Sequence, residues 1–224
     1  MLLVVAVDSP DALLKEGPDE KATYLAAINL YGTAPSDRAP SATAWGHVAE
    51  AWLRIGDLEG DDDHKLAAYE KGLAAAEKGI ALDDQCTECW FWKGADLGRY
   101  GQTKGILKSL SLLGDVKGAF QKVLAIDPKH MDARLSLGLI DQKVPGFAGG
   151  SVERAEVTFR GVLKDAPGFT RARLDLGELL WDAGKKDEAR KLALSVLDEK
   201  APLYPGEHRK FDVKRARKLL ASWS

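Results

Sequence analysis

The 224 residues carry 32 Lys and Arg against 34 Asp and Glu, a formal charge of −2, with 45% hydrophobic and 29% charged side chains. This is the composition of an ordinary soluble protein with ample apolar material for a core, and it offers no global attraction for nucleic acid or an anionic membrane. No stretch approaches the roughly 20 consecutive apolar residues that span a bilayer.

The chain opens on Met1–Val7, apolar but too short for a signal peptide and without a basic flank. It reads as an ordered N-terminal segment; the alternative is the remnant of an export signal. A short turn follows at Asp11–Lys15. The 3.6-residue apolar spacing then predicts helices at Asp19–Tyr31, Ala42–Ile55, His64–Leu82, Thr87–Tyr100, Leu107–Ile126, Met131–Gln142, Val152–Lys164, Thr170–Ala183, Lys186–Leu197 and Glu207–Trp223. Gly, Pro and Asp punctuate the junctions, and no segment sustains the period-two alternation of a strand. The chain is predicted to be all-α.

The helices repeat. Phe120, Val123, Leu124, Pro128, Ala133, Arg134, Leu135, Leu137 and Gly138 recur 39 residues later as Phe159, Val162, Leu163, Pro167, Ala172, Arg173, Leu174, Leu176 and Gly177. Ala155, Val162 and Leu163 recur 34 residues on as Ala189, Val196 and Leu197, while Lys78, Ala81, Asp83 and Gly94 anticipate Lys122, Ala125, Asp127 and Gly138 by 44. The underlying unit of about 34 residues is that of the tetratricopeptide repeat, a helix pair with small residues where its helices approach. The expected fold is therefore an all-α, right-handed tetratricopeptide superhelix of about four helical hairpins with a C-terminal capping helix. It is read as a single domain over 1–224: irregular repeats at 10–85, clearer ones at 86–206 and the cap at 207–223. The cap carries Val213, Ala216, Leu219, Leu220 and Trp223 on one face and Lys210, Lys214, Arg217 and Lys218 largely on the other, as the end of an array requires.

Candidate chemistry is sparse. Cys86 and Cys89 stand as Cys-Thr-Glu-Cys at a helix start. They read as a local disulfide or inert buried thiols, with a redox pair as the alternative; a disulfide would imply an oxidising compartment. Asp61-Asp62-Asp63-His64 resembles a metal site, but carboxylates at a helix start more simply complement the positive end of the helix. His47, His64, His130 and His208 show no ligand spacing, and neither a nucleophile elbow nor a phosphate-binding loop is present. No catalytic, cofactor-binding or metal-binding residue is assigned, and no enzyme activity is expected.

Binding is expected instead. In this repeat register the first helices present Phe91, Ala95, Leu135, Leu139, Leu174, Glu178 and Trp181 to a concave groove, with Arg99 one place further along. Phe91, Leu135 and Leu174 make that groove unusually apolar, which points to a partner or a hydrophobic ligand. The insertion Tyr100–Leu113 could instead fold into the groove, or act as its lid. Between two helices of one repeat, Val144-Pro-Gly-Phe-Ala-Gly-Gly150 forms a glycine-rich loop whose Phe147 either plugs the core or lines a ligand site.

The run Cys86-x2-Cys89-Trp90-Phe91-Trp92-Lys93-Gly94, then Gly98, Gly101, Gly105-Ile106, Leu110-x-Leu112-Leu113-Gly114 and Lys143-Val-Pro-Gly-Phe-Ala-Gly-Gly150, resembles the T-components associated with some tripartite ATP-independent periplasmic transporters, and related periplasmic tetratricopeptide proteins. The likeness covers about His64 to Leu220, and the Val-Pro-Gly-Phe-x-Gly-Gly loop is its most specific piece. A fainter likeness is to the helical core of eukaryotic regulators of microtubule dynamics. The first resemblance implies a non-enzymatic periplasmic scaffold that forms a homo-oligomer and docks a transporter's solute-binding protein. The alternative it carries is a carrier of lipid or another hydrophobic small molecule. Membrane association would come through a missing N-terminal segment, since neither a signal peptide nor a lipoprotein cysteine is seen.

Overall fold

The computed structural model describes residues 9–32 and 40–223; Met1–Val7 lies outside them. Among the described residues there are helices and no strand. Their contacts gather into two compact units, residues 1–128 and 129–224.

The first unit holds α1 (Pro10–Glu16), α2 (Lys21–Gly32), α3 (Ala42–Leu58), α4 (Asp62–Leu82), α5 (Thr87–Lys104) and α6 (Ile106–Ile126). Successive helices pair, and α5 also packs on α3 and α4. Their starts are written in the sequence. Ser9 Oγ accepts from the Ala12 N–H at 3.2 Å, Ser41 Oγ from Ala44 at 3.1 Å and Asp61 from His64 at 3.0 Å, each satisfying an amide that the helix leaves unpaired. Asp62 and Asp63 fill the first turn of α4, where negative charge is stabilised. The Asp61–His64 run is thus a helix start, with His64 Nδ1 2.6 Å from Asp61 Oδ2.

Of the alternatives for Tyr100–Leu113, neither groove filler nor lid describes it: the segment lengthens its own hairpin. Helix α5 continues to Lys104, the chain reverses at Gly105, whose φ of 100° suits glycine, and α6 begins at once with Ile106. At that tip Ile106 and Leu107 remain 69% and 82% exposed.

The second unit holds α7 (Met131–Lys143), a 3-10 turn at Gly146–Ala148, α8 (Val152–Asp165), α9 (Thr170–Asp182), α10 (Lys186–Leu197), α11 (Pro205–Glu207), a π-helical stretch at His208–Asp212 and α12 (Val213–Ser222). Leu135, Phe159, Val162, Leu174, Leu176, Leu180, Val196 and Trp223 share its core. The repeated arginines also have a structural role. Arg134 on α7 reaches Asp165 at the end of α8 at 2.7 Å, and its counterpart Arg173 on α9 reaches Glu199, just past α10, at 2.5 Å.

The predicted capping helix is interrupted. At the π stretch Asp212 turns inward to accept a 2.6 Å hydrogen bond from the buried Thr170 hydroxyl, and such local rewinding re-aims a side chain without ending the helix. Beyond it α12 packs on α10. Arg215 pairs with Asp175 and Glu178 of α9 at 2.6 and 3.0 Å, and the Arg190 guanidinium donates to the Trp223 carbonyl.

One contact recurs in both units. A glycine of the first helix in a hairpin receives an aromatic ring from the second: Gly56 meets Tyr69, Gly94 meets Phe120 and Gly138 meets Phe159. A methyl group added at Gly138 would lie 2.6 Å from Phe159 Cε1, so the ring occupies the place of a side chain. Gly118, within α6, has open space around it. Gly138→Ala should therefore destabilise the second unit by about 1–2 kcal/mol, overpacking outweighing the gain in helix propensity. Gly118→Ala should stabilise by up to about 1 kcal/mol. Urea unfolding of the two variants checks this; equal effects would refute the steric role given to the Phe159 ring.

Candidate interaction site

The groove positions are best taken unit by unit. In the first, Phe91 is buried, its ring 4.9 Å from Trp92 and 5.5 Å from Phe120. Ala95 is half-buried. Arg99 is exposed and pairs with Asp57 of α3 at 3.1 Å. The Tyr69 hydroxyl donates to the other oxygen of Asp57 at 2.9 Å; burial, and then that carboxylate, push the phenol pKa up, so it stays a donor.

In the second unit Leu135 and Leu174 are fully buried in the core, and Leu139 packs against it half-buried. Glu178 is held by Arg215. Trp181 stacks on Trp223, with centroids 4.9 Å apart and planes within 9°. The apolar wall expected from Phe91, Leu135 and Leu174 is therefore corrected: these side chains fill the interiors of their own units. Their spacing marks core as readily as groove, because a first helix of a hairpin is flanked on two sides and buries more than one stripe. At the far end, the capping helix takes up Glu178 and Trp181.

The glycine-rich loop behaves differently. Phe147 is not a core plug: it is 88% exposed, and the segment carrying it is firmly braced. Arg154 on α8 grips Asp141 on α7 through two hydrogen bonds of 2.9 and 3.1 Å, and also donates to the Gly149 carbonyl at 2.6 Å. The Ser151 N–H reaches the Asp141 carbonyl at 2.8 Å and the Gly150 N–H the Pro145 carbonyl at 3.2 Å. Gly149 has φ 91°, and a Cβ at Gly150 would strike the Val144 carbonyl. These two positions explain the paired glycines. Beside the loop lies a shallow open depression lined by Asp141, Glu153, Arg154, Val157 and Thr158, with Val152 and Val157 exposed along α8. Asp141 and Arg154, thirteen residues apart, carry no motif that would have flagged their pairing.

Cys86 and Cys89 form a disulfide across the first turn of α5. Both are buried, with Cys89 against Gly79 of α4 and beside the Ala42 carbonyl at the start of α3. Closing so short a loop restricts the unfolded chain by about 2 kcal/mol on the loop-entropy relation. Replacing both cysteines with alanine should lower the stability of the first unit by about that amount, measured by denaturant titration; an unchanged midpoint would show that the bridge constrains nothing.

Helical hairpins of this length, with small residues at their crossings and an apolar-faced helix at the end, define a tetratricopeptide-repeat protein. Residues 147–203 match the model of the tetratricopeptide repeat. Residues 6–144, well over half of the chain, match the family described as regulator of microtubule dynamics protein 1-3, and the chain belongs to that family. Among solved structures the fold is similar to TTC0263, a thermophilic tetratricopeptide protein of Thermus thermophilus, with a TM-score of 0.66 at 17% identity over 90% of this chain and 91% of that one. MamA aligns with a TM-score of 0.49 at 16% identity over 90% and 93% of the two chains. YrrB, described as having an unusual peptide-binding site, gives 0.45 at 15% over 92% and 99%. No curated protein sequence gives a significant match.

Proposed function

We propose that the chain is a non-enzymatic scaffold that docks a protein partner through the α7–α8 loop, with Phe147 as the anchor. The observation that carries this reading is the pairing of an 88% exposed phenylalanine with a loop fixed by Arg154, Asp141 and two glycines. An aromatic ring held ready in a fixed backbone loses little freedom on binding, and such residues dominate interface energetics. The exposed Val152 and Val157 extend the apolar contact, and Arg154 and Glu153 supply a polar rim.

The finer part of the proposal is the partner: a periplasmic solute-binding protein of a tripartite ATP-independent transporter. Its support is the T-component likeness, whose most specific segment is this same loop, and a disulfide of the kind that persists in oxidising compartments. The carrier alternative is set aside, because Phe91, Leu135 and Leu174 are engaged in core packing and the depression beside the loop is open and partly charged.

Calorimetric titration of the chain with such a solute-binding protein is the test. Phe147→Asp should weaken binding about 30-fold, equivalent to about 2 kcal/mol, with an unchanged circular dichroism spectrum. Co-sedimentation with microtubules, suggested by the family's name, is the competing arm. Binding there but not to the solute-binding protein, or full affinity in Phe147→Asp, overturns the reading.

A further inference from the structure

The first unit contains a carboxyl group with no evident place in a binding scaffold. Asp96, on α5, is 0% exposed, and neither of its oxygens has a hydrogen-bond partner. It is pressed against Gly72 of α4 so closely that a Cβ there would overlap the carboxyl. The groups around it deepen the isolation. From α3 comes the Asp57 carboxylate, whose oxygens are already engaged by Tyr69 and Arg99. From α4 comes the Tyr69 phenol, whose proton is given to Asp57. On α5 itself, Arg99 lies three residues further along and is turned to Asp57. The α6 residues next to the same stretch of α5 are Val116, Ala119 and Phe120, beside Gly94 and Gly98, and none of them titrates.

A carboxylate in such a place would be a bare charge in a medium that cannot solvate it, next to a like charge, and with no donor to replace water. The neutral acid suffers much less. We propose that the Asp96 carboxyl is a proton-operated latch on the packing of α5 against α4, closed while it holds its proton and loosened when the proton leaves. Gly72 fits this role. With no side chain of its own, it lets the acid lie flat in the seam, and hydrating the ionised form requires the two helices to part there.

Burial, and then Asp57, hold the Asp96 pKa well above the ordinary aspartate value. The sign follows. Below the unfolded-state pKa of about 3.9 the acid is protonated whether the seam is open or closed, and the stabilising effect is complete. As pH rises towards the folded-state pKa, only the open or unfolded form sheds its proton, so the closed seam is progressively lost. The inference does not rest on the docking role of Phe147, which lies in the other unit.

Amide hydrogen exchange on the full chain tests it. After correction for intrinsic exchange, the opening constant of amides in Tyr69–Ala76 and Trp92–Arg99 should rise about tenfold per pH unit above the ordinary aspartate range. In Asp96→Asn that extra slope should vanish. Identical pH profiles for the two proteins overturn the latch. If Asp96→Asn does not fold, Asp96→Ala, which leaves no polar group in the seam, serves the same comparison. The wild-type carboxyl can also be followed directly by its carbon chemical shift: a signal that titrates in the ordinary aspartate range overturns the proposal without any variant.

Discussion

The seating of an aromatic ring over a glycine governs this structure. At Gly56–Tyr69, Gly94–Phe120 and Gly138–Phe159 the ring of one helix lies where the other helix has no side chain. Each contact fixes the rotation and axial register of a hairpin at once, because a ring fits one gap and not its neighbours. The last hairpin keeps the logic with a different donor. Gly177 of α9 is met by Trp223 at 3.4 Å, so the capping segment supplies the ring that α10 lacks. The hairpins from α3 to α10 thus share one kind of joint, and the last of these joints attaches the cap.

Two outcomes follow for function. Interior apolar positions are consumed by the joints and by the cores on either side of them, which is why Phe91, Leu135 and Leu174 do not offer a greasy wall. Large apolar side chains left exposed lie both along the helices, as at Val157 and Leu194, and at their connections, as at Phe147. There the chain invests polar chemistry in holding a loop still. Arg154 contacts both a neighbouring helix and the loop backbone, and Phe147 is left outside.

Much of the architecture is legible because it is periodic. The boundaries of α10 match their prediction, and those of α7 to α9 differ by a residue, since Pro128, Pro167 and the flanking Asp and Gly residues terminate helices by local chemistry. The Phe120/Phe159 and Arg134/Arg173 pairs are a repeated joint and a repeated tie. What periodicity does not carry is long-range and polar. The 212–170 hydrogen bond that interrupts the last helix, the inward burial of Asp96 and the grip of Arg154 on Asp141 each depend on a partner chosen by the fold rather than by neighbouring sequence. At Tyr100–Leu113, helix extension and groove filling place the same leucines at the same spacing, so the pattern does not separate a lid from a longer hairpin. A buried stripe and a concave stripe differ by one position around a first helix, which hides the difference between core and groove. Phe147, an aromatic residue in a glycine loop, has no periodic context to say which way it faces.

The sulfur bridge at the start of α5 bears on the history of the molecule as well as its stability. Cys89 is roofed by Gly79 and the Ala42 carbonyl, and Gly46 of α3 lies against the adjoining Glu88 backbone. Thiols so enclosed are shielded from an oxidant while α3 and α4 stay packed over them, so both the making and the breaking of the bond call for that packing to be absent or locally opened.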